Sequence, residues 1–274
     1  MTFQRHANYY HQTRPAHSQD WRNTFNLLSL EGMNKILTRD LPFDTSVITE
    51  LMGSKQSSTQ VTGNLDGSGQ VFEAEGLYLY RSGAKNAYLE TRKIEIAPAL
   101  RGKGIGKIFL DNRVKLCEEL DVSILKTRAG LTNGPVFFAM HGFNVELPLG
   151  QRQLSKVRDN LNPVEHKVSD AAKQKIQEAF EKLDTDLAEG KRGTDANRML
   201  ADLTEDIDGT PLRDILFQGV EYRAYLDLND PDQRQAYDHA MRNIERTRQY
   251  MTGITLTSPA AIAGNPEIER TQSL

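Results

Sequence analysis

Apolar residues recur along this chain at two different periods. Trp21, Phe25, Leu28 and Ile36 fall near helical spacing, which predicts a helix between about 20 and 38. Pro42 closes that region, and a short second helix is expected over Ser46 to Met52. "GSKQSSTQVTGNLDGSGQ", residues 53–70, is polar and glycine-rich and reads as a loop. The period then shifts toward two. "VFEAEGLYLYRSG" and "AYLETRKIEIAP" read as strands joined near Ser82-Gly83-Ala84 as a hairpin. "GKIFLDNRVKLCEEL" returns to helical spacing, with Ile108, Leu110, Val114 and Leu116 or Cys117 facing a core. "VSILKTRAG" predicts another strand, "GPVFFAMHGF" a short helix stopped by glycine, and "NVELPL" a last strand. From Val71 to Leu149 the expected order is therefore β-β-α-β-α-β.

Beyond Gly150 the pattern becomes helical. Ala172, Ile176, Ala179, Phe180, Leu183 and Leu187 form one stripe, with Gly190 suited to its stop. Helices are also expected over 194–207 and 232–250, the second opened by Pro231 in its first turn. The reading divides the chain into an irregular arm (1–20), an α/β domain (21–150), a helical C-terminal subdomain (151–255) and a flexible tail (256–274).

Composition narrows the partners more than the chemistry. The chain has 274 residues, 38% of them hydrophobic and 26% charged, a net charge of −3 and a pI near 6.1. That balance makes no general case for nucleic acid or an anionic membrane as a partner. The single cysteine, Cys117, suits a reducing compartment. No run approaches the roughly 18 apolar residues of a spanning helix. The expected location is cytoplasmic, or outside the cell by a route that leaves no apolar signal.

"PALRGKGIGKIFL", residues 98–110, carries the densest chemical signal. Glycines at 102, 104 and 106 alternate with basic or apolar residues between a predicted strand and a predicted helix. Glycine lets the backbone turn tightly and approach a ligand, and free N–H groups at a helix start favour an anion. A P-loop is excluded, because Arg101 stands at its first glycine and Ile108 where Ser or Thr should bind magnesium. The dinucleotide fingerprint G-x-G-x-x-G is excluded by the strict spacing of two.

Ile96-Ala97-Pro98 followed by "RGKGIG" and an amphipathic helix resembles motif A of the GNAT acyltransferase superfamily, with Arg101, Gly104 and Gly106 at the pattern positions. Val136-Phe137-Phe138-Ala139-Met140-His141-Gly142-Phe143 resembles that family's aromatic helix ending in Gly-Phe. The resemblance covers roughly residues 71–149. It implies a mixed, mostly antiparallel central sheet flanked by helices, here with an appended helical C-terminal region. It also implies an N-acyltransferase that moves an acetyl group from acetyl-CoA to an amine of a protein or small molecule by direct attack. The pyrophosphate would lie on Arg101, Gly102, Lys103, Gly104, Ile105, Gly106 and Lys107, and the pantetheine arm along Ile94, Glu95 and Ile96.

Direct attack by an amine needs a proton acceptor and a stabilised leaving thiolate. Glu90 lies eleven residues before Arg101, which resembles the offset of the glutamate base in the histone-acetylating branch; Glu95 is the second candidate, with Glu73 and Glu75 behind them. In a regular strand Glu90, Arg92, Ile94 and Ile96 would share a face, and a bulge would break that sharing. Phe138 stands where many members carry the tyrosine that protonates the thiolate. His141, three residues on along the same helix, is the candidate substitute, while the reading expected of it is an exposed or capping histidine near the helix end. Asn133 lies two residues off the register of an asparagine that contacts CoA. The alternative to catalysis is a CoA-binding or interaction module with a degenerate site. No metal site is expected: His6, His11 and His17 lack ligand spacing, and Asp206-Ile207-Asp208-Gly209 lacks the closing glutamate of a calcium loop.

Overall fold

A computed structural model describes residues 7–12, 22–23, 28–52, 56–65, 69–81, 87–130 and 134–253. In chain order the elements are β1 (Ala7–Gln12), α1 (Leu30–Thr38), β2 (Asp44–Leu51), β3 (Gln56–Leu65), β4 (Gly69–Arg81), β5 (Ala87–Thr91), β6 (Lys93–Ile96), α2 (Ile105–Glu119), β7 (Ile124–Ala129), α3 (Gly134–Met140) and β8 (Asn144–Glu146). They continue with α4 (Leu149–Leu161), α5 (Asp170–Ala188), β9 (Gly193–Thr194), α6 (Ala196–Ala201), β10 (Asp206–Ile207), β11 (Thr210–Pro211), α7 (Leu212–Leu216), β12 (Tyr222–Asp227), α8 (Pro231–Ala240) and α9 (Ile244–Gly253). The fold is thus mixed α/β. No described helix is long and apolar enough to cross a membrane.

The chain divides into two compact units: Met1–Leu125 with Arg242–Leu274, and Lys126–Met241. In the first unit β1 pairs with β2 in parallel, and β2, β3, β4 and β5 follow as antiparallel neighbours, with β6 also on β4. Two expectations change here. Residues 46–51, most of the expected short helix, are strand, because "DTSVITE" is rich in β-branched side chains that resist helix and suit a pleated surface. Most of the expected loop at 53–70 is also strand. β3 turns Ser57, Thr59, Val61, Gly63 and Leu65 inward, so small and hydroxyl-bearing residues do the work of an apolar stripe. The buried Thr49 and Thr59 hydroxyls lie 3.1 Å apart, and Thr49 Oγ1 donates to Asn34 Oδ1 at 3.1 Å. Gly63 is required because Phe43 lies across it: a Cβ there would sit 2.2 Å from the ring.

Helices α1 and α2 cover the inner face of this sheet. The Ser29 hydroxyl caps α1 by accepting from Gly32 N at 3.0 Å. Phe43 stacks on Phe72, and Phe72 meets Phe109 of α2 edge-on at 5.1 Å. Buried Asn112 of α2 donates to the carbonyls of Leu37 and Arg39, tying off the end of α1. Trp21 and Phe25, expected in the first helix, lie outside the described residues, as does the tail at 256–274.

In the second unit β12 pairs antiparallel with β8, β8 with β9, and β7 lies next to β12. The region expected to be helical therefore also supplies a strand, β12, which enters between β7 and β8. The predicted stripe of α5 holds: Ala172, Ile176, Ala179, Phe180 and Leu183 are buried, and Gly190 follows the helix at φ +67°. The expected helix at 194–207 is only α6, and that at 232–250 is two helices, α8 and α9.

Asp186 is the main charged anchor of this unit, 1% exposed and paired with Lys182 and with Lys191 at 2.7 Å. Burial alone would raise its pKa, but the hydrogen bonds from Lys182, Lys191 and Thr194 outweigh that and hold it below the ordinary value. A lowered carboxylate pKa contributes stability above the unfolded value, and that stability is lost as pH falls through the folded one. The unfolding midpoint in denaturant is therefore expected to fall below about pH 4, and Asp186→Asn to flatten that acid limb. Equal slopes in the two proteins would contradict this assignment.

Candidate functional site

Strands β5 and β6 are one stretch of chain interrupted at Arg92. Opposite the interruption, β4 kinks at Gly76, which has φ +62°. The kink acts as a bulge against β3: Thr59 faces Leu77, but Val61 faces Ala74. Phe72 and Ala74 point inward before the kink, and Leu77 and Leu79 after it. Because Tyr78 faces Glu90 and Ala74 faces Ile94, β5–β6 switches parity at the same level. Glu90 is therefore on the outer face, away from α1 and α2, while Ile94 and Ile96 are on the inner one. The face shared by Glu90, Ile94 and Ile96 in a regular strand does not exist.

The parity switch gathers carboxylates instead. Glu73, Glu75, Glu90 and Glu95 share the outer face with Lys93 and Gln60. Lys93 Nζ lies 3.1 Å from Glu73 and 3.2 Å from Glu95, and Gln60 Nε2 donates to Glu73 at 3.2 Å. Glu75 has a raised pKa, first through its hydrogen bond to Glu73 and then through burial. For Glu73 burial pulls upward, but the hydrogen bond from Lys93 and the other bonds win and hold it low. The pair thus holds a proton more tightly than one isolated carboxylate would. Glu90 is half-buried; Glu95 is exposed. The sequence ranks Glu73 and Glu75 behind these two. The signal that raises them is Glu-x-Glu-Gly opposite Lys-x-Glu, with glycine marking the kink.

β6 pairs with β4 on one edge and with no strand on its other edge among the described residues. It runs through a single 3-10 turn, Pro98–Leu100, into the glycine loop. Gly102 has φ +73°, and Gly104, the N-cap of the fifteen-residue α2, has φ +86°. Both values lie in the left-handed region that glycine adopts without strain. Arg101 Nε donates to the Ile96 carbonyl at 3.0 Å, which folds the guanidinium back over the end of β6. Ile105, Ile108 and Phe109 are buried and anchor the first turns of α2. Ile108 is thereby a core residue, consistent with the exclusion of a magnesium-binding P-loop. Lys103 and Lys107 are half-buried, and burial lowers the Lys107 pKa.

In the second unit, α3 carries Phe138, 6% exposed and edge-on to Phe143 at 5.1 Å. The buried Tyr222 hydroxyl donates to the Pro135 carbonyl at 2.7 Å, and Asn197 Nδ2 donates to the Phe143 carbonyl at 2.9 Å. These two bonds fix both ends of the aromatic helix. His141 is 4% exposed, with Nδ1 2.6 Å from the Phe137 carbonyl. A carbonyl only accepts, so Nδ1 donates this bond. The histidine closes the helix. Asn133 lies outside the described residues. Cys117 is buried, its thiol pushed up to about 12 by burial. No group of three or more His, Cys, Asp or Glu side chains is placed to hold a metal ion among the described residues.

No protein-family model matches the chain, and no curated protein does. Solved structures resemble it in part. An IAA acetyltransferase from Bacillus cereus shares 22% identity over 32% of this chain and 56% of its own, with a TM-score of 0.26. A GNAT-family protein from Desulfovibrio desulfuricans shares 14% over 34% and 58%, and nourseothricin acetyltransferase 20% over 36% and 58%, each also at 0.26. The chain spans little more than half the length of these structures. The neighbours are acetyltransferases, and the likeness is partial and weak.

Proposed function

We propose that the protein is an acetyl-CoA-dependent N-acyltransferase. One observation carries the reading: β6, paired among the described residues on one edge, runs into a loop of left-handed glycines that opens a long helix. The motif resemblance of "RGKGIG" supports the same reading. In it, the backbone of Gly102 to Lys107 receives the pyrophosphate with Lys103 and Lys107 nearby, and the open edge of β6 receives the amides of pantetheine as an added strand would be received. The acceptor is an amine, and the four glutamates of the outer face draw it as a cation. The ammonium first gives up one proton to water, and Glu90 takes the second as the neutral nitrogen attacks the thioester carbonyl. The new C–N bond forms, the C–S bond breaks, and CoA leaves as thiolate. With Phe138 at the family's tyrosine position, the thiolate takes its proton from solvent.

Thermal shift with acetyl-CoA and CoA, followed by thiol release with a panel of polyamines, aminoglycosides and lysine peptides, tests this reading. Stabilisation by both nucleotides and amine-dependent thiol release are expected; no stabilisation by either sinks it. Glu90→Gln is expected to lower kcat by on the order of a hundredfold while leaving the KM for acetyl-CoA unchanged. A kcat equal to that of the parent would remove Glu90 from the mechanism and move the role to the Glu73–Glu75 pair.

A further inference from the structure

The glycine loop has a second neighbour within its own unit, α9. Thr247 of α9 lies directly over Gly104: a Cβ built there would sit 2.3 Å from Thr247 Cγ2, whereas one built on Gly102 would meet nothing within 4 Å. Half of the loop is thus open and half is covered. The covering helix is latched. Arg248, 3% exposed, donates to Asp111 Oδ2 at 2.6 Å, to Asn112 Oδ1 at 2.8 Å and to Asp40 Oδ2 at 2.5 Å. Met251, one turn on, is fully buried. Asn112 also holds the end of α1, so the latch fastens α9 to α1 and α2 together.

We propose that α9 is an autoinhibitory strap: its Thr247 occupies the surface of Gly104 that a polyphosphate would use, and the strap must lift or slide for that ligand to seat. The proposal rests on the donor reading above. It follows from the geometry of one glycine. A glycine at an anion loop allows close approach, and here the atom that makes that approach is the Thr247 methyl. Ligand affinity is then reduced by the fraction of molecules in which the strap is away.

Two variants and two readouts test it. Arg248→Met opens the latch. Thr247→Ala leaves the latch intact and removes the methyl group. The readouts are hydrogen exchange over residues 104–110 and the Kd for CoA, both on the full chain. Arg248→Met is expected to raise exchange and tighten CoA binding by on the order of tenfold, and Thr247→Ala to tighten it less. Unchanged exchange in Arg248→Met, or weaker CoA binding in either variant, overturns the strap. Raised exchange with no CoA binding to any form supports the strap as a cover and overturns the donor reading instead. If Arg248→Met does not fold, Thr247→Ala decides alone: tighter binding supports the strap, and equal or weaker binding overturns it.

Discussion

Gly104→Val is expected to abolish CoA binding and to destabilise the first unit. Two penalties add. At φ +86° a β-branched residue is strained, at about 1–2 kcal/mol for the left-handed conformation alone. Its Cβ also enters the space held by Thr247, at about 1–3 kcal/mol for an overpacked contact. Gly102→Ala meets only the first penalty, because the space around Gly102 is open. The two positions are therefore expected to separate in thermal melts, with Gly104→Val the more damaging. A double-mutant cycle of Gly104→Ala with Thr247→Ala isolates the contact. Loss of the methyl should recover part of the destabilisation, and strict additivity would mean that Thr247 yields freely. Binding that survived Gly104→Val would remove the loop from the pyrophosphate site.

Arg248→Met carries the second large effect. The guanidinium reaches Asp40, Asp111 and Asn112 from a side chain only 4% exposed. Removing it leaves the buried Asp111 carboxylate with half-buried Lys115, 2.9 Å away, as an ion-pair partner. Breaking one partner out of a buried pair costs about 3–5 kcal/mol, and the partial exposure of Asp40 places the expectation at the lower end. Denaturant unfolding of the full chain checks it. A loss within experimental error would mean that water replaces the guanidinium and that α9 is only loosely fastened.

The loop was the most legible feature of the chain because everything that defines it is local. A preceding strand, three glycines and a following helix lie within the single stretch 93–119, and the positive φ at Gly102 and Gly104 is what that spelling demands. What escaped was written in longer range or in the wrong alphabet. β3 buries Ser57 and Thr59, so its inward face does not read as apolar. The outer-face carboxylates depend on a parity switch at Gly76 and Arg92, which pairing with β4 produces and no periodicity announces. Arg248 looks like any helical arginine; its partner Asp111 is 137 residues away. β12 was hidden because it follows a long helical stretch and returns beside β8. The aromatic helix is legible, but the bond between His141 Nδ1 and the Phe137 carbonyl is not, because it depends on the ring's rotamer.

The first unit is built from two separated stretches of the chain, and this sets an order of events during synthesis. Asp40, Asp111 and Asn112 are made early, and Arg248 arrives only after the whole of Lys126–Met241 has been translated. At about 5–20 residues per second, the nascent first unit waits on the order of ten seconds for its latch. Through that interval the glycine loop stands uncovered and the buried carboxylate of Asp111 lacks its guanidinium. A ribosome-bound chain stalled before Arg242 should therefore present the glycine loop in its most accessible form, and under the proposed function CoA would act on it there as a folding ligand.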